Sequence, residues 1–312
     1  MKKVIEIDKL TKDFMVGFWR PKPKRVLDGL SLEVTEGEVF GFLGANGAGK
    51  TTTLKLLMGL IYPTAGSAKI LGKSISQVEM RYEIGYLPEA PYFYDYLTAR
   101  EFLDYCGKLF KIPEDLRKKR IAQLLKLVDM EHAVDTQLRK FSKGMLQRIG
   151  IAQALINDPK VVFMDEPMSG LDPIGRREVR DIISSLRDQG KTVFFSTHIL
   201  SDVEVLCDRV AILRTGKLAG YGKLVDLQQP GSKAMEVIAR GLEAKNIEDL
   251  RRVTNSVKET ASGVNIQIGS EKELGQLIAT IHSSGGTIIS VNPAKNSLED
   301  FFSREKVAAD SQ

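Results

Sequence analysis

Gly44-Ala45-Asn46-Gly47-Ala48-Gly49-Lys50-Thr51 sets the fold class of this chain, because it matches the phosphate-loop pattern GxxxxGK followed by Ser or Thr. It follows a predicted strand over residues 39–43 and precedes a predicted helix over residues 51–60. Glycines let successive N–H groups turn towards phosphate oxygens, and a helix N-terminus adds positive charge at the same place. The predicted nucleotide contacts are Gly44, Ala45, Asn46, Gly47, Ala48, Gly49, Lys50, Thr51 and Thr52.

Two side chains of this loop are expected to bind different parts of a nucleoside triphosphate and its metal ion. Lys50 is expected to reach the β- and γ-phosphates, and the hydroxyl of Thr51 is expected to ligate Mg²⁺. A chance match in a glycine-rich turn is the alternative, and the flanking strand and helix disfavour it.

A second apolar run, residues 161–164, ends in two acids, Asp165 and Glu166. A buried strand would carry Asp165 to the phosphate loop, where its carboxylate holds Mg²⁺ through water. Glu166 faces differently because strand side chains alternate, and we expect it to polarise the attacking water as a general base. Taken alone, the same pair would equally fit a strand that ends in a solvated acidic turn.

Apolar runs and amphipathic stretches alternate up to about residue 230, which predicts an α/β fold whose strands are covered on both faces. Strands are predicted over residues 4–7, 30–34, 39–43, 161–164, 192–196 and 210–213. Helices are predicted over residues 51–60, 99–110, 116–128, 145–156 and 176–186. Residues 91–155 show helices and no clear strand, so we predict a helical subdomain, about residues 90–157, inserted into the core.

The composition changes at residues 228–232, Gln-Gln-Pro-Gly-Ser, which reads as a linker. We therefore predict two domains, residues 1–228 and 229–312. The second shows a β-α-β-β-α-β order, typical of the split ferredoxin-like arrangement, and we interpret it as a packing or dimer-contact module. Ser297 and Asp300 resemble a capping box that begins a short helix reaching Phe302, and the tail beyond residue 307 is expected to fray.

Composition excludes several classes of protein. The chain has 312 residues, 43% hydrophobic and 27% charged, enough to bury a core, so it is not a disordered chain. Its two cysteines, Cys106 and Cys207, form no CxxC pair, which argues against structural disulfides and zinc. We find no apolar run of about 20 residues and no signal core, so neither membrane insertion nor export is expected. The net charge of +5 is a mild hint of a phosphate-rich ligand, nucleic acid or an anionic membrane surface.

The order of further motifs resembles one family. Phe141-Ser142-Lys143-Gly144-Met145-Leu146-Gln147-Arg148 lies between the phosphate loop and Asp165-Glu166. This order is similar to that of the ATP-binding-cassette (ABC) ATPases. Ser169-Gly170-Leu171-Asp172 looks like their D-loop, His198 like the switch histidine, and Gly85-Tyr86-Leu87-Pro88-Glu89 lies where the Q-loop is expected. The resemblance covers about residues 1–225 and implies an ABC cassette with a mixed sheet.

The resemblance implies that the nucleotide is shared by two cassettes. Ser142, Lys143 and Gly144, which we call the signature, would contact the γ-phosphate bound by the opposing cassette, using the N-terminus of the following helix. His198 would contact the γ-phosphate and orient Glu166 and the water. Their ordinary alternatives are a serine N-cap for Ser142 and a capping or core histidine for His198.

Two motifs depart from the family pattern. The signature and its two neighbours, residues 141–145, read FSKGM where the family has LSGGQ, so Lys143 replaces a glycine and Met145 a glutamine. Glu89 stands where the Q-loop carries glutamine, and its carboxylate is expected to ligate Mg²⁺ directly or through water. Both variants are similar to those of ATPase subunits of bacterial ABC-2-type exporters.

The aromatic residue that stacks on adenine is left open between three positions. Phe14 fits the family position best, after Thr11 and Lys12. Residues 17–25 form an extra basic loop, which makes Phe18 and Trp19 alternatives because stacking needs only a flat aromatic face.

The resemblance implies an ATP-hydrolysing subunit that powers a membrane exporter. Its expected partners are transmembrane permease subunits on separate chains and a second ABC cassette, identical or paralogous, with no nucleic acid. It would lie at the cytoplasmic face of the membrane. One alternative is a soluble ABC-type ATPase that acts on ribosomes or nucleic acid, although such members carry two cassettes or long coiled coils. A P-loop kinase or GTPase is the other, and the signature would have no purpose there.

Overall fold

The computed structural model describes residues 2–227, 235–242, 247–248, 250, 254, 256–260, 263–269 and 271–293. The chain divides into two compact units, Met1–Leu224 and Val225–Gln312. The predicted domain boundary between residues 228 and 229 lies outside the described residues and stays a prediction. The predicted helix at Ser297–Phe302 and the tail also lie outside them.

The first unit contains two sheets and the helices between their strands. In the described residues its strands are β1 (Lys3–Val16), β2 (Lys22–Thr35), β3 (Val39–Leu43), β4 (Ala65–Ile70), β5 (Lys73–Ser74), β6 (Ile84–Leu87), β7 (Val161–Asp165), β8 (Thr192–Thr197), β9 (Arg209–Arg214) and β10 (Lys217–Lys223). The helices are α1 (Lys50–Leu57), α2 (Ala99–Leu109), α3 (Glu114–Leu127), α4 (Lys143–Ala154), α5 (Pro173–Asp188) and α6 (Leu200–Leu206), followed by α7 (Leu224–Leu227) where the units meet in sequence.

The central sheet has the strand order β10-β9-β3-β8-β7-β6. All neighbours are parallel except the edge pair β9–β10, so the sheet is mixed, as predicted. β3, β7 and β8 are buried along their whole length, which is why they read as continuous apolar runs. Phe40 and Phe194 stack at 5.2 Å between ring centroids in the core between the layers.

The second sheet is antiparallel, with the order β2-β1-β4-β5. β1 and β2 form one long hairpin of two 14-residue strands, far longer than the runs predicted at residues 4–7 and 30–34. Those predictions were too short because only the inner part of the hairpin is buried, and hydrophobic pattern reports burial. The elements β4, β5, β6, β10, α6 and α7 were not predicted, because most of them are short or only partly buried.

Helices alone lie between β6 and β7, as predicted, apart from one isolated bridge between Thr98 and Gln137. α2 begins with a capping box in which the Thr98 hydroxyl accepts from the Glu101 N–H and the Glu101 carboxylate accepts from the Thr98 N–H. None of the helices in the described ranges is long and apolar enough to cross a bilayer.

The second unit has one antiparallel sheet and follows the predicted β-α-β-β-α-β order. Its described elements are β11 (Met235–Arg240), β12 (Ser256–Thr260), β13 (Gly263–Ile268), α8 (Glu271–Ser283) and β14 (Thr287–Pro293). Residues 247, 248 and 250 are helical between β11 and β12. The strand order is β12-β13-β11-β14, and Val237, Ile266 and Ile281 are fully buried in its core.

Candidate functional site

The carboxyl ends of three neighbouring strands bring the predicted site residues together. The phosphate loop follows β3, Asp165 ends β7, and His198 follows β8, which lies between the other two. The Gly44 N–H donates to the Thr197 carbonyl at 3.2 Å, and the Glu166 N–H to the Ser196 carbonyl at 3.2 Å. Ligands of open α/β sheets bind at this end of the strands.

Glycines shape the phosphate loop. Gly47 and Gly49 have φ of 81° and 108°, a region that other residues rarely adopt. Gly44 approaches β9 so closely that a Cβ there would lie 2.6 Å from the Leu213 carbonyl oxygen. Ala45, Asn46 and Gly47 remain exposed at the tip, and α1 begins immediately after Gly49.

Lys50 is buried at the centre of the loop, with 6% of its surface exposed. Its Nζ donates to the carbonyls of Gly44 and Ala45 at 2.7 and 3.3 Å. The same nitrogen lies 3.1 Å from Glu166 Oε1. A buried ammonium must be paired, and here three oxygens of the chain itself surround it.

Glu166 connects the loop to His198. Its Oε2 lies 2.9 Å from His198 Nδ1, so Nδ1 carries the hydrogen that this carboxylate accepts. Its buried Oε1 accepts no hydrogen bond from the described residues, and its contact with Lys50 is an ion pair. The backbone of Glu166 has φ of 48°, a strained conformation of the kind found at functional sites.

Asp165 is buried beside Glu166, and the Ser196 hydroxyl donates to its Oδ1 at 2.5 Å. Burial of Tyr86 is the main cause that raises its pKa to about 12, and the negative charges of Asp165 and Glu89 raise this pKa further. Glu89 is exposed and Thr51 is half-buried. This donor set contains only carboxylate and hydroxyl oxygens, and it fits Mg²⁺, which binds few protein oxygens and keeps several waters. The described residues contain no cluster of three or more His, Cys, Asp or Glu that could hold a metal ion.

The signature lies at the start of α4. Ser142 is exposed, and its hydroxyl accepts from the Met145 N–H at 3.2 Å, an ordinary N-cap. The Lys143 ammonium lies over Gly170, where any Cβ would collide with it, so the signature touches the predicted D-loop. No hydrogen bond or ion pair of the described residues joins the signature to the phosphate loop. The chain therefore forms two separate sets of predicted nucleotide contacts.

Three polar side chains with no predicted role hold these loops in place. Gln147 Nε2, in α4, donates to the Pro167 carbonyl at 2.7 Å and ties the signature helix to the segment after Glu166. Ser196 orients Asp165, as described above. Asp202, fully buried, pairs with Arg176 and Arg180 of α5 at 2.8 and 2.5 Å. Gln147 belongs to the stretch Phe141–Arg148, so the sequence marked it as a candidate. The contacts of Ser196 and Asp202 depend on strand register and helix packing, which the sequence does not show.

The three aromatic candidates lie at different distances from the phosphate loop. Leu27 of β2 approaches Gly49, and the β1 residue opposite Leu27 is Lys12. Phe14 is two residues beyond Lys12, about 7 Å along the strand, and the Lys12 Nζ lies 4.9 Å from the centre of its ring. Phe18 and Trp19 lie farther out, in the turn between β1 and β2.

Comparison with known proteins places the chain in a family. A family model described as ABC transporter matches residues 27–169. The chain is 45% identical over 304 residues to the uncharacterised ABC transporter ATP-binding protein sll0415 of Synechocystis sp., a match covering 97% of this chain and 84% of that protein. The chain belongs to the ABC transporter ATP-binding proteins. This ABC subunit therefore binds nucleotide and is an ATPase of an ATP-driven transporter.

One further relative and one solved structure agree with this assignment. The ABC subunit is 34% identical over 282 residues to the Nod factor export ATP-binding protein I of Cupriavidus metallidurans, covering 89% of this chain and 91% of that protein. A solved ATP-binding subunit of an ABC transporter superposes with a TM-score of 0.63 at 30% identity. That match covers 72% of this chain and 92% of the other. The predicted cassette fold is confirmed.

Proposed function

We propose that this ABC subunit hydrolyses ATP between two opposed cassettes and thereby drives export through separate transmembrane subunits. One observation carries the catalytic part of the proposal. Glu166 is a buried carboxylate held between Lys50 and His198, and its Oε1 accepts no hydrogen bond from the described residues. The Lys50 ammonium lies 3.1 Å from Oε1, and an attacking water would donate to a remaining lone pair of the same oxygen.

The proposed chemistry is in-line attack of that water on the γ-phosphorus. Glu166 Oε1 accepts the proton of the water as the new P–O bond forms, and the bond to the bridging oxygen breaks, releasing ADP and phosphate. His198 holds Oε2 and so fixes the direction of the carboxylate. Lys50 and the N–H groups of the loop bind the β- and γ-phosphates and stabilise the charge that develops on them.

The residues proposed to hold Mg²⁺ are Thr51, Asp165 and Glu89. When bound, the ion would neutralise charge on the β- and γ-phosphate oxygens. Ser196 keeps one oxygen of Asp165 engaged at 2.5 Å and so restricts the orientation of its carboxylate. Phe14 is the proposed adenine platform, since it lies nearer to the phosphate loop than the other two aromatic candidates.

The opposing cassette is proposed to complete the site with its own signature. Ser142 and Gly144 stand at the N-terminus of a 12-residue helix, where free N–H groups and the helix dipole attract anions. Lys143 adds a cation at the same exposed position. The contact between Lys143 and Gly170 would let the signature and the D-loop move together when the cassettes close.

The direction of transport and the location of the subunit are part of the proposal. The Cupriavidus relative is a Nod factor export ATP-binding protein. The signature and Q-loop variants of this chain also resemble those of exporters. We therefore propose transmembrane permease subunits on separate chains, with this subunit at the cytoplasmic face of the membrane.

The variant Glu166→Gln tests the catalytic core of the proposal. It keeps the size of the side chain but removes the base, so kcat should fall by about a hundredfold or more while ATP affinity is retained. Light scattering with ATP and Mg²⁺ should then show a dimer that the wild-type subunit populates only transiently. Steady-state ATPase assays and titration calorimetry measure the two quantities.

Glu79→Gln is the matched control, because Glu79 is an exposed glutamate outside the site. It should have the kcat of the wild type, and light scattering should give the same particle mass as for the wild-type subunit. Wild-type turnover by Glu166→Gln would contradict the proposed base. Co-purification of the trapped variant with ribosomes instead of a membrane protein would favour the soluble alternative.

A further inference from the structure

The turn of the β1–β2 hairpin carries exposed apolar side chains and cations together. We call residues 15–24 the hairpin tip. Phe18 and Trp19 are 92% and 90% exposed and contact each other edge to face at 5.8 Å. Arg20, Lys22 and Lys24 are exposed, and their side chains make no hydrogen bond or ion pair with the described residues. Residues 14–27 contain no Asp or Glu.

The base of the hairpin tip is firmly anchored. Arg25 donates to Asp13 at 2.9 and 3.2 Å and to Asp28 at 3.0 Å. Strand pairing continues outward to the pair between Val16 and Lys22. The tip is thus a projection with a defined conformation, and its free cations are distinct from the paired Arg25 at its base.

Protection of a sheet edge explains only part of this composition. β2 is an edge strand, and lysine and proline, as in Lys22-Pro23-Lys24, are common devices against unwanted strand pairing. The exposed Phe18 and Trp19 do not protect the edge of β2, because clustered exposed apolar groups favour association. The aromatic pair requires a different explanation.

We propose that the hairpin tip docks on the surface of an anionic lipid bilayer. Tryptophan and phenylalanine partition to the interface between headgroups and acyl chains, and lysine and arginine attract acidic headgroups. The ten residues of the hairpin tip are fewer than the roughly 20–30 per partner of a stable protein interface, which buries about 800 Å² per partner. Charge and size therefore favour a lipid surface over a protein partner. The inference does not depend on ATP hydrolysis, so it can fail separately from the proposed function.

The hairpin tip contains its own probe, because Trp19 is the only tryptophan of the chain. We expect its fluorescence emission to shift to shorter wavelength with vesicles of phosphatidylglycerol and phosphatidylcholine. Brominated lipids in such vesicles should quench it. Vesicles of phosphatidylcholine alone should produce a much smaller shift, and 1 M salt should weaken binding to the anionic vesicles because it screens the headgroups.

Variants separate the contributions of charge and aromatic rings. Replacing Arg20, Lys22 and Lys24 together with alanine should lower partitioning into anionic vesicles by on the order of a hundredfold. The matched control replaces Lys69, Lys119 and Lys126, exposed lysines elsewhere on the first unit, and removes the same net charge. Trp19→Ala, measured by co-sedimentation, should also weaken binding. The ATPase activity of the charge variant in lipid-free buffer should equal that of the wild type.

Three outcomes would overturn the proposal. The first is an emission maximum that does not move with anionic vesicles. The second is an equal loss of vesicle binding in the control variant, which would show that binding depends on the net charge of the chain and not on the hairpin tip. The third is quenching of Trp19 by ATP together with lost nucleotide affinity in Trp19→Ala, which would assign the tip to adenine.

Discussion

The phosphate loop and the signature of the opposing cassette are predicted to bind the same triphosphate, yet within one chain the lysine of the phosphate loop is buried and most of the signature is exposed. Lys50 is buried and already surrounded by oxygens of Gly44, Ala45 and Glu166. Ser142 and Lys143 are exposed at the start of α4, and only the hydroxyl of Ser142 is engaged, with the N–H of Met145. One region is complete within the chain, whereas the other presents its donors outward.

This difference indicates how binding and turnover are divided. The phosphate loop is expected to hold nucleotide within the single chain, because its glycine-shaped backbone and the helix after it are already in place. An exposed helix N-terminus binds an anion weakly in water and strongly only when another surface excludes the solvent. Changes in the phosphate loop should therefore abolish binding, and changes in the signature should mainly affect turnover.

The largest effect is expected from Lys50→Ala. The variant removes a charged donor from the phosphates and leaves the Glu166 carboxylate unopposed beside them. ATP affinity should fall by about a hundredfold or more, since hydrogen bonds to charged groups contribute about 1.5–3 kcal/mol and repulsion adds to their loss. Titration calorimetry with ATP measures it.

Lys55→Ala is the control for this change, because Lys55 is an exposed lysine of the same helix. It should bind ATP like the wild type. Unchanged affinity in Lys50→Ala would remove the contrast between the two regions.

A smaller effect is expected from Ser142→Ala. It should lower ATP turnover by about tenfold but leave the ATP affinity of the single cassette unchanged, because the serine is proposed to serve the opposing site. Loss of the N-cap should also lower the free energy of unfolding by about 1 kcal/mol. ATPase assays and urea unfolding measure the two effects.

Thr98→Ala removes another N-cap, that of α2, and provides the comparison. It should cause a similar loss of stability with normal turnover. Equal turnover in Ser142→Ala and Thr98→Ala would mean that Ser142 only caps its helix.

An effect on stability alone is expected where the signature helix is tied to the segment after Glu166. Gln147→Leu removes the buried hydrogen bond to the Pro167 carbonyl and leaves that acceptor without its donor. The free energy of unfolding should fall by about 1–2 kcal/mol, as measured in urea. Gln123→Leu, an exposed change on α3, should be neutral within about 0.5 kcal/mol. No difference between the two would show that this bond does not hold the signature helix.

Several elements of the fold were predictable because their causes are local. β3, β7 and β8 are mostly apolar and fully buried, and α4 begins directly after Ser142, whose alternative role was that of an N-cap. The outer halves of β1 and β2 were not predictable, because polar and basic residues there are held in strands by pairing and by the ion pairs of Arg25. The seven-residue α6 was missed for a similar reason, since Asp202 is buried only through two arginines of another helix.

The chemistry of the phosphate loop follows from the order of its residues, because glycines at fixed spacing dictate the path of the backbone and a strand and helix on either side fix its ends. The acids after β7 and the helix N-terminus at Ser142 are local in the same sense. The cluster of Lys50, Glu166 and His198 is not, since it depends on β8 lying between β3 and β7. Strand order and register are settled by packing over the whole sheet, and no short stretch of the chain contains that information.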